Sequence, residues 1–299
     1  AKHTDCETDA CSYDKKCIAT DEKSCTQHAG GDTCGPGEMD EAGRKHESCC
    51  KAIALPSGNV LDKYTITAGR MRAFLERVKN NPLEWVEKEK PAAWPEGYPT
   101  SRLPADEDGV ITELSYLETE GYEPRGCFIK GNGARTYFLT KAQNEGIGDD
   151  PQSYPQEVYD SKALNCVRRA MATALCAFDG KELATSADIL EAYGPKKFPW
   201  GDEAWDATRA VHKYTYVWPT PIAGKENEQV FNIAAPGRKP LGNGPFGHAD
   251  IAGNLYSVVK DDSVVTGSFE NHAITKTKNA WAENRKYYAA GFRCAVHKK

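Results

Sequence analysis

Apolar residues follow a helical period most clearly in one segment near residue 70. Four of them recur at the i, i+3, i+4 and i+7 spacing that buries one helix face: Met71, Phe74, Leu75 and Val78. Thr67 stands at the expected N-cap, and Asn80-Asn81-Pro82 ends the pattern. The apolar residues Tyr64 and Ile66 predict a short strand just before this helix.

The pattern downstream predicts two more helices and then short strands. Eight prolines lie between residues 82 and 155, and each removes a backbone donor and fixes φ. We therefore expect irregular loops there, with short strands near 110–117 and 136–139. Helices are predicted at about 161–178, with Gly180 as C-cap, and at about 186–192. From Tyr214 onward, short apolar pieces alternate with Gly, Pro and Asn turns, so the fold class is α+β.

Composition divides the chain at about residue 54. Residues 1–54 form a cysteine-rich, acidic N-terminal extension that has few large apolar side chains. Residues 55–299 are predicted to form one domain, with a Pro/Gly-rich insertion at about 80–160. We expect the extension to depend on its disulfide bonds, because it is too polar to fold by burial alone.

Cysteine usage favours an exported protein. Seven of the eleven cysteines lie in the first fifty residues: Cys6, Cys11, Cys17, Cys25, Cys34, Cys49 and Cys50. Their spacing lacks the Cys-x-x-Cys or Cys/His pairs of a zinc module, so it indicates disulfide bonds in an oxidising compartment. The expected location is extracellular, cell-surface or periplasmic. An odd total leaves one cysteine either free or bonded to another chain.

Charge and hydropathy exclude two classes of partner. Residues 1–50 hold six Lys or Arg and eleven Asp or Glu, while the remainder balances at 32 against 32. An acidic segment on a neutral body argues against a nucleic-acid partner, whose binders need a basic face. No run of 18 apolar residues occurs, so no membrane-spanning helix is predicted.

Three blocks near the C-terminus carry a family resemblance. They are Asp250-Ile251-Ala252-Gly253-Asn254, Thr266-Gly267-Ser268-Phe269 and Gly291-Phe292-Arg293-Cys294-Ala295. In this order they resemble the D-x-x-G-N-x-x-E, G-G-S-W/F and G-F-R-C-A segments of the formylglycine-generating enzyme (sulfatase-modifying factor) family. Upstream blocks extend the resemblance to roughly residues 60–78 and 164–294. It implies a loop-rich α+β fold of the C-type-lectin-like kind.

The resemblance also shows which chemistry to expect. Active members of the family carry two copper-binding cysteines, and their positions here are Asn271 and Lys276. Copper(I) favours thiolate ligands, which an amide and an ammonium group cannot replace. His272 beside the first position supplies one imidazole, which is not a copper site. We therefore expect no formylglycine-generating activity.

The same resemblance implies a weakened calcium site. In the family, the positions of Asp250 and Ser257 and the carbonyls near Gly253 and Leu255 bind calcium, with a Glu where this chain has Ser257. Calcium needs six to eight oxygen ligands, and a carboxylate is missing here. Either calcium is the cofactor, or there is none and Gly253-Asn254 forms a tight turn between core strands.

A disulfide bond between Cys176 and Cys294 is the pairing that the resemblance implies. It would close a loop of more than a hundred residues and contribute about 4–5 kcal/mol on an entropy estimate. Two buried free thiols are the alternative. Cys127 and Cys166 pair with each other, or either one pairs with the N-terminal extension.

These observations favour an exported, non-catalytic structural or binding protein. Its extension would join it to further copies of itself or to a surface protein partner. One alternative is a metal-dependent oxidase around His248, Asp250 and His272. Another is a glycan-binding module whose tryptophans line a sugar-stacking surface, although they serve equally as core residues. The tryptophans are Trp85, Trp94, Trp200, Trp205, Trp218 and Trp281.

Overall fold

The computed structural model describes residues 23–26, 30–115, 133–271, 276–282 and 285–298. The α-helices in these ranges are α1 (Ala68–Arg77), α2 (Pro82–Glu89), α3 (Glu107–Ser115), α4 (Lys141–Gly146), α5 (Gln156–Ser161), α6 (Arg169–Phe178) and α7 (Ser186–Tyr193). The strands are β1 (Ala52–Ala54), β2 (Val60–Asp62), β3 (Glu182–Leu183), β4 (Tyr256–Val259), β5 (Ser263–Val265), β6 (Lys278–Ala280), β7 (Ala290–Phe292) and β8 (Cys294–Val296). The predicted α+β, loop-rich class is confirmed.

The strands form two four-stranded sheets. The first has the order β1-β2-β8-β3 and is antiparallel. The second has the order β6-β5-β4-β7, and only its β4–β7 pair is parallel. Arg293 alone separates β7 from β8, so the chain passes from one sheet to the other at this residue. The buried guanidinium of Arg293 donates to the carbonyls of Lys63 (2.6 Å) and Asp250 (3.1 Å), which fixes the junction.

Helix α1 agrees with the sequence pattern. The side chain of Thr67 accepts a hydrogen bond from the backbone N–H of Arg70, as an N-cap does. The ring of Phe74 lies 5.0 Å from that of Phe178 and 5.6 Å from that of Trp85, so α1 packs against α6 and α2. The strand predicted around Tyr64 and Ile66 instead lies a few residues earlier, as β2.

The proline-rich region contains helices, which corrects the prediction of irregular loops with two strands. Residues 107–115 form α3 rather than a strand near 110–117, and residues 136–139 form no strand. Pro82 occupies the first turn of α2, and Pro155 caps α5. A helix needs no backbone donor at these positions, so the prolines here mark helix starts. Val110, Ile111 and Leu114 bury one face of α3.

The helix predicted at 161–178 is interrupted. Helix α5 ends at Ser161, and α6 begins only at Arg169. The intervening backbone pairs with the chain before α1: Leu164 donates to the carbonyl of Ile66 at 2.8 Å. This pairing satisfies backbone groups that a continuous helix would otherwise bond internally. Helix α7 agrees with its prediction within one residue, and Gly180 (φ 76°) follows the C-cap of α6.

Residues 30–50 pack directly on the main body. Gly35 donates to the carbonyl of Pro236 at 2.9 Å, and Gly30 lies against the first turn of α1. A Cβ added at Gly30 would lie 2.4 Å from the carbonyl oxygen of Asp160, which shows how closely the two backbones approach. Strand β1 pairs with β2, so the predicted boundary after residue 54 lies inside a hairpin.

A buried ionic network joins this segment to the core. We call Ser24, Asp62, Arg70, Asp179 and Lys181 the Arg70 centre. The guanidinium of Arg70 contacts Asp62 (3.2 Å) and Asp179 (2.8 Å), and all three side chains are fully buried. Lys181 pairs with the other oxygen of Asp62 at 2.8 Å. Ser24 donates to Asp179 from its backbone N–H (2.8 Å) and its hydroxyl (2.5 Å).

Three disulfide bonds lie within the described residues. Cys25–Cys50 and Cys34–Cys49 hold the N-terminal segment, and Cys176–Cys294 joins α6 to β8 with its Cα atoms 5.4 Å apart. Cys166 is disulfide-bonded as well, whereas Cys127 lies outside the described residues. The last of the three bonds is the pair that the family resemblance implies.

Among the helices described, none has the length and apolar composition to cross a membrane.

Candidate functional site

Asn271, which the resemblance aligns with the family's first copper position, closes a turn that follows β5. Its side-chain oxygen accepts from the backbone N–H of Ser268 at 2.5 Å. Its amide nitrogen donates to the hydroxyl of Tyr256 at 2.6 Å. The side chain therefore uses both of its polar ends inside the protein, as a structural residue does.

Lys276, at the second position, is bonded to a different element. Its ammonium group donates to the carbonyl of Gly194 at 2.8 Å and lies 5.3 Å from the centre of the Tyr193 ring. Both contacts are at the C-terminal end of α7, where a cation is favoured by the helix dipole and unpaired carbonyls. His272 lies outside the described residues.

Sequence reasoning missed Glu270, which lies inside this turn, directly before Asn271. The carboxylate of Glu270 accepts the hydroxyl of Tyr287, 2.8 Å from each oxygen, and the hydroxyl of Tyr288 at 2.5 Å. We call Tyr214, Glu270, Tyr287 and Tyr288 the Glu270 cluster. Burial, the hydrogen bond to Glu270 and another to Tyr214 raise the pKa of Tyr288 well above its usual value. Tyr288 therefore remains a neutral donor at physiological pH.

Further aromatic rings surround this carboxylate. The ring of Phe269 lies 5.5 Å from Tyr214 and 5.8 Å from Tyr288, both edge-on. On the other side, Trp281 lies 6.2 Å from Tyr287. The guanidinium of Arg285 sits 4.3 Å from the Trp281 ring centre. The cluster is half-buried, so it combines ordered contacts with access from solvent.

The four residues of the implied calcium site have different surroundings. Asp250 is buried and its carboxylate accepts from the backbone N–H of Gly237 at 2.6 Å. Burial raises the pKa of Asp250, and the hydrogen bond from Gly237 and then the charge of Arg293 partly offset this rise. Leu255 packs its side chain in a hydrophobic cluster, and Ser257 lies in β4 opposite Val265 and Gly291. Across the described ranges, no group of three or more His, Cys, Asp or Glu residues could hold a metal ion.

The turn in this segment has a clear backbone basis. Gly253 (φ 88°) and Asn254 (φ 59°) both adopt the left-handed conformation, which Gly and Asn tolerate best. Asn254 also exchanges two hydrogen bonds with the backbone of Ala234, at 3.0 and 3.1 Å. The carbonyls of this segment are thus held by the fold whether or not an ion binds.

His248, in the alternative oxidase proposal, is fully buried. Burial, together with the nearby charge of Arg293, lowers its pKa to about 4. The imidazole is therefore neutral at physiological pH. Asp250 lies two residues later in the same segment, but its side chain forms no hydrogen bond or ion pair with that of His248.

The six tryptophans do not form one surface. Trp85, Trp94 and Trp281 belong to the cluster around α1 and α6. Trp200 and Trp205 pack against a second cluster beside α7, and Trp218 packs against a third. The tryptophans are thus divided among three parts of the core rather than aligned for stacking on a sugar.

Comparison with known proteins yields structural matches, two of which are described here. No family model matches the chain, and no curated protein matches it. The solved structures that match include PvdO from Pseudomonas aeruginosa, with a TM-score of 0.45, 16% identity, and coverage of 93% of this chain and 97% of that one. CarF matches with a TM-score of 0.36 and 14% identity over 89% of this chain and 93% of that one. Likeness at this level carries no argument about function.

Proposed function

We propose that this protein is an exported, non-catalytic binding or structural protein on a scaffold like that of the formylglycine-generating enzymes. The observation that carries the proposal is the engagement of Asn271 and Lys276. Asn271 forms hydrogen bonds with Ser268 and Tyr256, and Lys276 donates one to the carbonyl of Gly194. Neither supplies the soft ligand that copper(I) chemistry requires.

The disulfide bonds support export. Three lie within the described residues, two of them in the N-terminal segment. Such bonds persist in oxidising compartments and are rare in reducing ones. The odd cysteine total provides for one bond to another chain, which would anchor the protein in an assembly.

The decisive experiment is an activity assay on the full chain. Sulfatase-type peptides would be incubated with the protein, copper and oxygen, and the conversion of cysteine to formylglycine followed by mass spectrometry. We expect no conversion, while an active member of the family converts the same peptides in parallel. Turnover above the protein-free control would contradict the proposal.

Metal analysis separates the proposal from the oxidase alternative. We expect the purified native protein to contain no stoichiometric copper or iron. A stoichiometric redox metal, lost when His248 is replaced, would favour the oxidase. Comparing size under reducing and non-reducing conditions tests the proposed assembly, because a disulfide-linked oligomer would dissociate on reduction.

A further inference from the structure

Within the described residues, the Glu270 carboxylate has hydrogen-bond donors but no counter-ion. Its three contacts come from the hydroxyls of Tyr287 and Tyr288, which are neutral. In the part of the chain that the structure describes, no Lys, Arg or His nitrogen forms an ion pair with it. A carboxylate offers about four lone-pair sites, so acceptor capacity remains beside the two tyrosines.

The rings around Glu270 add to its negative potential. Tyr287 and Tyr288 lie with ring centres 4.7 Å apart, and Tyr214, which is 42% exposed, flanks the cluster from the solvent side. Aromatic faces are electron-rich and attract cations. An anion would meet repulsion here, and a neutral ligand would leave the carboxylate uncompensated.

The chain itself shows that a cation is accepted on these rings. The guanidinium of Arg285 lies 4.3 Å from the centre of Trp281 and 5.8 Å from that of Tyr287. It makes no ion pair with Glu270 within the described residues. One end of the aromatic surface therefore holds a cation, and the end that carries the carboxylate does not.

We infer that the Glu270 cluster binds an organic ammonium group of a ligand, with the cation against the carboxylate and the tyrosine rings. The inference rests on the proposed binding function and names the ligand class for it. Carboxylate and ring faces recognise the same charge, so their contributions act together. The hydroxyls of Tyr287 and Tyr288 hold the carboxylate in place before the ligand arrives, which reduces the entropy lost on binding.

The test uses the full chain and two small probes of almost equal shape. Choline carries the cation, and 3,3-dimethyl-1-butanol is its neutral counterpart. Calorimetric titration at constant ionic strength should show saturable binding of choline and at least about tenfold weaker binding of the neutral probe, because only choline gains the ion pair and cation–π attraction. Equal binding of the two probes, or no binding of choline, would overturn the inference.

Variants locate the site. Glu270→Gln keeps acceptor and donor capacity for the tyrosines but removes the charge, and we expect choline affinity to fall about tenfold. Glu87→Gln removes one charge from an exposed helix position and should leave the affinity unchanged. Tyr214→Leu, on an exposed ring, should weaken binding several-fold. Choline binding that survives both site variants unaltered would contradict the assignment.

The non-catalytic function and the ammonium site can be contradicted independently of each other. Formylglycine turnover would contradict the non-catalytic function without touching choline binding. Absence of choline binding would remove the ammonium site while leaving a non-catalytic structural role intact.

Discussion

The carboxylates of the Arg70 centre are paired with cations, whereas the carboxylate of the Glu270 cluster has no cationic partner within the described residues. In the first, Asp62 and Asp179 are fully buried, and the cations Arg70 and Lys181 lie within 3.2 Å of them. In the second, Glu270 is half-buried and bonded only to phenols within the described residues. Burial of a charge is tolerated only when it is paired, whereas a solvent-accessible charge can stay unpaired.

This difference in charge pairing indicates a structural role for the Arg70 centre and leaves only the Glu270 cluster with a charge that a ligand could pair. A buried network with two cations and two anions has no unused charge to offer a ligand. It joins Ser24 of the N-terminal segment to α1 and to the end of α6, and therefore fixes their relative positions. In the Glu270 cluster, Tyr287 and Tyr288 also pack against the core, but the carboxylate of Glu270 lies among rings with no cation paired to it within the described residues. This contrast is the reason for proposing the ligand site there and not at the Arg70 centre.

The largest effect is expected from the disulfide that spans the core near the Arg70 centre. Replacing Cys176 and Cys294 together by alanine should lower the free energy of unfolding by about 4–5 kcal/mol, because the bond closes a loop over 118 residues. The matched double replacement of Cys34 and Cys49, 15 residues apart, should cost about 3 kcal/mol on the same loop-entropy argument. Denaturant unfolding measures both. A larger loss for the short loop would contradict the entropic account.

Removal of the central cation tests the buried side of the comparison directly. Arg70→Met should cost about 3–5 kcal/mol, since it leaves Asp179 without a cationic partner and Asp62 with only Lys181. Arg102→Met, at an exposed position, should change stability by less than about 0.5 kcal/mol. Thermal unfolding distinguishes them. Equal stability of the two variants would show that the network is not needed for the fold.

The same network changes the expectation for the N-terminal segment. Because Ser24 bonds both Asp179 and Arg70, removing residues 1–50 would expose buried charges as well as remove any assembly contact. Loss of an oligomer on such a deletion would therefore not identify an assembly element by itself. Replacing single cysteines one at a time, with size measured without reductant, is the cleaner way to find a link to another chain.

A smaller effect is expected from His248, which is buried as a neutral group. Its pKa is lowered from 6.5 to about 4, so the unfolded chain binds more protons than the folded one between these values. Stability from this residue is present above pH 6.5 and is lost as pH falls towards 4, by about 3 kcal/mol. His248→Leu should flatten this part of the pH–stability curve. An unchanged slope would place the acid sensitivity elsewhere.

Local sequence patterns predict local structure, but they do not predict which residues far apart along the chain come into contact. Thr67 and the apolar spacing after it locate α1 because the capping bond and the buried face lie within a few residues. Proline alone did not distinguish loops from helix starts, which is why α2 and α5 were not predicted. The Arg70 centre joins residues 8 and 109 positions apart along the chain, and no local signal marks such a pair.

The candidate site shows the same limit. The resemblance led to Asn271 and Lys276, whose positions are set by neighbouring motifs. Glu270 is adjacent to them, but its partners Tyr287 and Tyr288 lie 17 and 18 residues later and meet it only through the fold. A doublet of tyrosines beside a strand is more often ordinary packing, so no local signal distinguishes this pair as part of a site.

The smallest expected effect on stability comes from Glu270. Glu270→Gln should change the free energy of unfolding by less than about 1 kcal/mol, because the amide still offers an acceptor and a donor to the two phenols and no buried partner charge is left behind. The Arg70 centre responds in the opposite way, since each of its charges depends on another. Denaturant titration of Glu270→Gln beside Arg70→Met measures the contrast in one experiment. A loss of several kcal/mol at Glu270 would mean that its carboxylate is needed for the fold, and the two regions would then differ in exposure but not in role.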